Sequence, residues 1–417
     1  MSGFLPLFVS LLFFIVLFGY INERFFKFSY EIALMLFSMI ASVLVLGTTY
    51  LTDSNFLLQL VENMHPVNIE DFLMDGALCF MLFAGCCHMR LSDFKEQVKA
   101  VSVLSFICTL LGAVFYGLAF YGLSVLLNLG LSLPVCLMFG SIVSPTDPIA
   151  ATSILNRFGL PKKTGFLIEG ESLLNDGVGV AIFVCFSGYV SVQDAHSSFF
   201  DVLIHQLFGA IVIGAAVTAA CFWFFKHVKN SKIRIFSSLL AVSLSYLVCQ
   251  YTECSGAIAS VVCGVLYSTF RESSDDESVR YSPIFDNSWE TLDSFLNSVL
   301  YVIMGFSMIS VFQTPHALII ATLAVICNFI GRAGSVYLCT YMISPLPDNF
   351  SKKGFTALFT WGGLRGGLCI ALAMSTKDMV SAEVFNILMG GTYTLVFFTT
   401  VVQGLTLKKV YAKIQHD

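Results

Sequence analysis

The sequence predicts an all-α integral membrane protein. Of its 417 residues, 57% are hydrophobic and only 12% are charged, and the mean hydropathy is +0.82. A chain with this balance has too much apolar surface for a water-soluble fold. Its apolar runs are about 20 residues long, the length of a helix that crosses a bilayer, whereas a membrane barrel would show short alternating strands.

About thirteen such runs follow one another, and each is predicted to be a transmembrane helix. They lie near 4–20, 30–51, 71–88, 100–127, 133–153, 164–190, 200–225, 234–252, 255–270, 291–312, 316–343, 354–375 and 385–407. The predicted connections alternate in charge, because 19 of the 22 Lys and Arg residues lie in every second one. By the positive-inside rule, this alternation predicts an N-terminus outside and a cytoplasmic C-terminus.

Two classes of site find no support in the composition. The sequence shows no basic patch of the kind that binds nucleic acid. The 13 cysteines fall mostly inside predicted spans, without the CxxC spacing of metal or redox sites, and are interpreted as packing residues. We therefore expect neither a nucleic-acid partner nor a cofactor.

Two predicted spans contain sequences that interrupt a helix. In the fifth, Ser144-Pro145-Thr146-Asp147-Pro148 places two prolines three residues apart, which removes backbone donors and disfavours helical angles before each proline. In the twelfth, Trp361-Gly362-Gly363-Leu364-Arg365-Gly366-Gly367 surrounds an arginine with four glycines, the residue that unwinds at least cost. Unwound backbone at membrane depth is tolerated only around a cavity or a protein-buried site.

The positions of these interruptions predict an inverted repeat. Spans seven apart have opposite orientations, so spans one to six would be repeated in eight to thirteen, with the seventh as a connector. Many secondary transporters have this architecture and bind their substrates at the midplane, where two broken helices cross.

Carboxylates within the spans are the strongest indication of function. Asp147 lies in the first interruption, and Glu169, Glu171 and Asp176 follow in the sixth span. An ionised Asp at the centre of a membrane helix costs about 2.5–3.5 kcal/mol, so such residues mainly pair, face water or bind ions. Together with the freed carbonyl of Thr146, Asp147 offers the oxygen ligands that hard cations prefer. These residues predict an ion or proton site.

Polar residues extend this site along the sixth span. Ser172, Asn175 and Asp176 share one helical face because they are three and four residues apart. Glu171 lies about 100° away from Ser172 and faces a different neighbour. For Ser172 and Asn175, polar packing between helices explains the residue type as well as ion contact does.

Two arginines lie in apolar spans of the second half. An unpaired guanidinium is costly there, so Arg332 needs a carboxylate, and Glu171 is the candidate. Arg365 is interpreted as neutralising a broken helix end, with Glu169 as a second candidate partner. Both arginines are predicted to support the site rather than bind the ion.

These motifs together resemble the monovalent cation/proton antiporter family, especially its NhaP-like sodium/proton antiporters. The matching pieces are the 144–148 sequence, the run 169–180 with its Asn175-Asp176 pair, Gly331-Arg332 and the glycine sequence 362–367. Each motif is modest alone, but order, spacing and placement in the spans agree over nearly the whole chain.

The resemblance implies a homodimer in membrane lipid, in which each protomer has a dimerisation bundle and a mobile ion-transporting core. The bundle would comprise 1–96 and 231–313, and the core would comprise 97–192 and 314–417. The segment 193–230 would form the connecting helix between them.

The resemblance also implies a role for each site residue. The cation ligands would be Asp147, Asp176, Ser172 and the carbonyl of Thr146. The supporting residues would be Asn175, Glu171, Arg332 and Arg365. In the family an Asn-Asp pair is typical of electroneutral, one-for-one exchange.

The predicted function is exchange of Na⁺ or Li⁺ for protons by alternating access, and not enzymatic catalysis. Protons and cations would exclude each other at Asp147 and Asp176. The alternatives are K⁺/H⁺ exchange, a cation channel with flux uncoupled from protons, and an intramembrane aspartyl protease. The protease is disfavoured because Asp147 lies between prolines and the sequence lacks Gly-x-Gly-Asp.

Three further features bear on the resemblance. Some relatives carry an acidic residue in the third span, where this chain has Leu82-Phe83-Ala84-Gly85, so Ala84 predicts one carboxylate fewer at the site. The long cytoplasmic tail of some eukaryotic relatives is lacking, which favours a bacterial inner membrane. The charged segment from Arg271 to Arg280 is interpreted as a solvated connector, with a pH or calcium sensor as the alternative.

Overall fold

The computed structural model describes residues 4–52, 76–89, 91–148, 151–152, 155, 159–191, 199–307 and 317–414. In this part of the chain the regular structure is helical, apart from an isolated antiparallel bridge between Asp147 and Leu364. The all-α prediction is therefore confirmed. The first residues of the predicted span 71–88 lie outside the described residues.

We number the helices α1 to α13 in chain order, with α5 and α12 each divided by an interruption. Their bounds are α1 Phe4–Ile21, continued by a π-helical turn Asn22–Phe26; α2 Tyr30–Thr52; α3 Leu78–Cys87; α4 Leu91–Ser102, Val103–Cys108 (π-helical) and Thr109–Leu126; α5a Leu133–Ile142; α6 Lys162–Ser191; α7 Phe199–His227; α8 Ser231–Tyr251; α9 Gly256–Glu272; α10 Pro283–Ser307; α11 Ala317–Ile343; α12a Lys352–Trp361; α12b Gly367–Met374; and α13 Ala382–Phe397, Phe398–Gln403 (π-helical) and Gly404–Ile414. Helical backbone resumes at Pro148.

In the described ranges, seven helices are individually long and apolar enough to cross a membrane: α1, α4, α6, α7, α8, α11 and α13. The helices α2, α3 and α5a are shorter apolar segments. Two helices begin earlier than hydropathy predicts, since α4 starts at Leu91 rather than near 100 and α10 at Pro283 rather than near 291. Both added stretches are polar or amphipathic, so apolar composition does not mark them as helical.

Side-chain caps set the starts of four helices. Asn230, Ser255, Ser351 and Ser381 each accept a hydrogen bond from a backbone N–H in the first turn of α8, α9, α12a and α13, respectively. Such a bond satisfies a donor that the start of a helix otherwise leaves without an intrahelical partner. These polar residues therefore define boundaries that hydropathy leaves uncertain.

The two predicted interruptions are present and meet each other. The α5a helix ends at Ile142, and the backbone N–H of Asp147 donates to the carbonyl of Leu364 at 2.8 Å. On the other side, α12a ends at Trp361 and α12b begins at Gly367. Each unwound segment therefore supplies a backbone partner to the other, and the antiparallel pairing fits helices of opposite orientation.

The helices pack in two groups. In the first, α2 packs on α1 and α10, α3 packs on α9 and α10, and α7 packs on α8 and α9; we call α1–α3 and α7–α10 the bundle helices. In the second, α4 packs on α5a and α11, α6 packs on α5a, and α13 packs on α11 and α12b; we call α4–α6 and α11–α13 the core helices. The groups meet where α6 contacts α3, α7 and α9 and where α12b contacts α10.

The charged segment from Arg271 to Arg280 begins in the last turn of α9 and is folded against helix ends. Arg271 is 6% exposed, and its guanidinium donates to the two carboxylate oxygens of Asp286 at 2.8 and 3.2 Å. Arg234 of α8 donates to the carbonyl of Ser278 at 2.7 Å. The hydroxyl and backbone N–H of Ser278 donate to Asp276, and these bonds lower the pKa of its carboxyl. The interpretation as a solvated connector is therefore wrong for Arg271.

Candidate functional site

A cavity of about 320 Å³ lies between the bundle helices and the core helices, beside the crossed interruptions. Its walls include Asp147 from the unwound part of α5 and Asp176 from α6. Glu169 of α6 and Asp293 of α10 also line it. The two carboxylates selected as cation ligands from the sequence thus face the same cavity.

The other two predicted ligands, Thr146 and Ser172, are buried and bonded to each other. Their hydroxyl oxygens are 2.9 Å apart, and each residue is 2% exposed. Asn175, which is fully buried, accepts a hydrogen bond from the Thr146 backbone N–H at 3.2 Å and donates to its hydroxyl at 2.7 Å. These bonds fasten the unwound part of α5 to α6, and so position the neighbouring Asp147.

A buried ion pair joins α6 to α11, as the sequence predicted. Arg332 donates to the two carboxylate oxygens of Glu171, with both nitrogen–oxygen distances at 2.9 Å, and the residues are 4% and 1% exposed. Asn175 also donates to Glu171 at 2.9 Å, and the Nε of Arg332 donates to the carbonyl of Phe359 in α12a at 3.2 Å. The pair therefore links both interrupted helices to α11.

Arg365 stabilises the broken end of α5a. Its Nη1 donates to the carbonyls of Ser144 and Pro145, the latter at 2.9 Å. These carbonyls lie just beyond the C-terminal end of α5a, where partial negative charge accumulates. The expected second partner, Glu169, lines the cavity instead, and Nη2 donates to Asn328 at 2.8 Å.

The structure adds a face of α10 that the sequence reasoning missed. Tyr301 donates a hydrogen bond to Oδ2 of Asp147. Asp293 lines the cavity with Asn297, whose amide donates to the Asp293 carboxylate at 3.0 Å. Asp293 and Asn297 are four residues apart in a largely apolar helix, the same spacing that singled out Ser172 and Asp176. Tyr301, one turn further along, carries no comparable sequence signal.

Ala84 does not lie on the cavity wall. It is 3% exposed and packs in a bundle cluster that includes Phe83 and Trp289. Among the described residues of α3, those on the wall are uncharged: Leu78, Met81, Leu82 and Gly85. The contribution of α3 to the cavity is therefore apolar.

Comparison with known proteins identifies the family of this chain. It matches the family described as "Sodium/hydrogen exchanger, transmembrane" over residues 12–413. The Na(+)/H(+) antiporter NhaP of Pseudomonas aeruginosa is 27% identical over 405 residues, which cover 94% of each chain. The Na(+)/H(+) antiporter NhaH of Halobacillus aidingensis is 30% identical over 327 residues, covering 76% of this chain and 77% of the relative.

A solved structure agrees with this match at the level of the fold. The sodium proton antiporter MjNhaP1 from Methanocaldococcus jannaschii, at pH 8, has a TM-score of 0.79 to this chain and covers the whole of both chains at 19% identity. The interrupted and crossed helices, the matched family region and the relatives agree with one another. This protein is therefore a multi-pass membrane protein of the transmembrane sodium/hydrogen exchanger family.

Proposed function

We propose that this protein exchanges a monovalent cation, Na⁺ or Li⁺, for protons by alternating access. The observation that carries the proposal is the cavity between bundle and core helices, on which Asp147 and Asp176 meet beside two interrupted helices. Carboxylates at membrane depth are retained where they bind ions or protons. Membership of the exchanger family supports the same conclusion.

In this proposal the cation is held by oxygen atoms. Asp147 and Asp176 supply carboxylates, Ser172 supplies its hydroxyl and Thr146 its carbonyl, which are the ligand types that alkali and other hard cations accept. The hydrogen bond between the Thr146 and Ser172 hydroxyls holds these two residues together. Asp147 and Asp176 supply negative charge to the cation, whereas Arg332 neutralises the nearby Glu171.

The supporting residues keep this geometry without touching the ion. Asn175 ties Thr146 to Glu171, and Glu171 and Arg332 join the sixth helix to the eleventh. Arg365 holds the carbonyls that end α5a. A rigid frame of this kind keeps the ligands at their distances while the core moves as a unit.

Competition for the carboxylates explains exchange. A bound cation favours the ionised form of Asp147 and Asp176, and a bound proton removes the charge that attracts the cation. If the core reorients only when loaded, one ion must leave before the other returns. The Asn175-Asp176 pair supports an electroneutral, one-for-one stoichiometry, by the family pattern.

The proposed movement is that of the core, 97–192 and 314–417, against a dimerisation bundle, 1–96 and 231–313, connected by 193–230. In support, the described helices pack in two groups with the cavity between them, although α7, within the connecting segment, packs with the bundle helices. Large apolar side chains remain exposed on the bundle helices, such as Phe13, Phe208 and Leu240. We assign these faces to lipid and to a second copy of the chain, in a bacterial inner membrane with the C-terminus cytoplasmic.

The test uses proteoliposomes with an imposed pH gradient, measured both with the membrane potential clamped at zero and without the clamp. Internal pH is followed as Na⁺, Li⁺ or K⁺ is added. We expect Na⁺ or Li⁺ to collapse the gradient at a rate that the clamp does not change, while protein-free vesicles show no response. A response to K⁺ alone would replace Na⁺ by K⁺ as the substrate. Cation current without proton movement would instead indicate a channel.

Gly366→Ala should impair exchange because of the space that the new methyl group needs. A Cβ at position 366 would lie 2.9 Å from Oδ2 of Asp147 and 3.0 Å from its Cβ, so the carboxylate must shift. We expect the rate at limiting Na⁺ to fall roughly tenfold, since small displacements of a reacting group are costly.

The matched control is Gly122→Ala in α4, where a Cβ meets no atom within 4 Å. The measurement is Na⁺-dependent collapse of the pH gradient for both variants. Equal rates in the two variants would show that the position of the Asp147 carboxylate does not limit exchange.

A further inference from the structure

The hydroxyl of Tyr301 connects the bundle helices to a carboxylate of the core helices. Tyr301 lies on α10, is 1% exposed, and donates to Oδ2 of Asp147 in the unwound part of α5. The α10 helix itself packs on α2 and α3 within the bundle. The bond therefore crosses the boundary at which the proposed function requires movement.

Tyr301 also stands at the edge of a second, smaller cavity. This cavity of about 50 Å³ is lined by Tyr30, Glu31, Leu34, Asp293, Ser294, Asn297, Ser298 and Tyr301. Asp293 and Asn297 line both cavities, whereas Asp147 lines the larger one. The Tyr301 hydroxyl thus reaches Asp147 from the bundle side, while Asp176 and Glu169 face the large cavity from α6.

The strength of this hydrogen bond depends on the charge of Asp147. A hydroxyl bonds more strongly to an ionised carboxylate than to a neutral acceptor. A proton on Asp147 removes that charge, and a bound cation compensates it. Tyr301 therefore holds the core most tightly to the bundle when Asp147 is empty and ionised.

We propose that Tyr301 restrains the unloaded core from reorienting and so helps to couple cation movement to proton movement. The inference rests on the proposed exchange function, and adds a named residue to it. An exchanger whose empty core returns across the membrane would leak its cation gradient without moving protons. The cost of burying two carboxylates already opposes that return, and the Tyr301 bond adds a contact that is weaker in the loaded core.

The variant that tests the inference is Tyr301→Phe, which keeps the ring and removes the hydroxyl. Its matched control is Tyr116→Phe in α4, because Tyr116 is also 1% exposed and its hydroxyl has no hydrogen-bond partner in the described part of the chain. Tyr301→Met is a second variant without the hydroxyl, since a flexible methionine can fill the space.

Each protein is reconstituted into vesicles loaded with radioactive sodium. One assay follows Na⁺/H⁺ exchange under a pH gradient. The other follows Na⁺ efflux into a sodium-free medium together with proton uptake by the vesicles, starting from the same alkaline pH on both sides and with the membrane potential clamped. Net efflux is the Na⁺ that leaves without a proton entering, and it requires the core to return empty.

We expect Tyr301→Phe and Tyr301→Met to retain exchange and to raise net efflux about tenfold, which corresponds to about 1.4 kcal/mol. Native protein and Tyr116→Phe should show the same low efflux. The inference is overturned if the efflux of the Tyr301 variants equals that of native protein, or if Tyr116→Phe leaks as much as they do. Absence of exchange in the native protein would instead refute the proposed function, and this inference with it.

Discussion

Replacement of Asp176 by Asn is expected to abolish cation-dependent proton exchange. The amide has nearly the shape of the carboxylate, but it neither takes up a proton at physiological pH nor supplies the negative charge that holds a cation. Because Asp176 lines the cavity opposite the unwound part of α5, its loss removes a proposed ligand without opening the helix packing. Exchange should fall to the rate of protein-free vesicles, measured as Na⁺-dependent collapse of an imposed pH gradient.

The control for this variant is Asp201→Asn, which makes the same substitution at an exposed position in the first turn of α7. Both variants should insert and purify like the native protein. Native-like exchange by Asp176→Asn would remove Asp176 from the proposed site. A similar loss in Asp201→Asn would mean that the assay reports damage unrelated to the cavity.

Glu171→Gln is expected to destabilise the folded protein more than any other conservative change at the site. Glu171 is 1% exposed, and its carboxylate accepts two hydrogen bonds from the Arg332 side chain and one from Asn175. Removing one charge of a buried pair leaves the other uncompensated, at a cost of about 3–5 kcal/mol in the free energy of unfolding. The melting temperature of the detergent-solubilised protein should fall accordingly.

Two further variants distinguish this effect from a general sensitivity of α6 to substitution. Glu169→Gln makes the same change two residues earlier, at a side chain that lines the cavity, and should lower the melting temperature much less. The double variant Glu171→Gln with Arg332→Gln should recover part of the loss, because it leaves no buried charge unmatched. Equal melting of Glu171→Gln and native protein would show that the pair adds little to stability.

Much of the fold follows from constraints that act locally along the chain. Long apolar runs have few alternatives to membrane helices, and prolines or clustered glycines interrupt a helix wherever they occur. These rules placed the interruptions at 144–148 and 362–367. The pairing of Glu171 with Arg332 was also predictable, because a charge at membrane depth demands a partner and few candidates were present.

The parts that local rules missed lie at the ends of helices and on faces shared between them. The polar starts of α4 and α10 are helical through their surroundings, and Arg271 is buried because Asp286 lies beside it in space. The side chain that accepts a hydrogen bond from Arg365 is Asn328 rather than Glu169, and this depends on the rotation of α11 about its axis. No residue type or spacing in the sequence predicts these helix starts or these side-chain contacts.

The sequence alone was sufficient for the fold class, the two unwound segments, the candidate carboxylates and the family, since each depends on residue type and order. The tertiary structure decided which of these residues line the cavity and which are buried without lining it. It also brought Tyr301 to Asp147, although the two residues are 154 positions apart. Contacts of that kind arise from the rotation and register of packed helices, which depend on the fit of the whole assembly rather than on any local pattern.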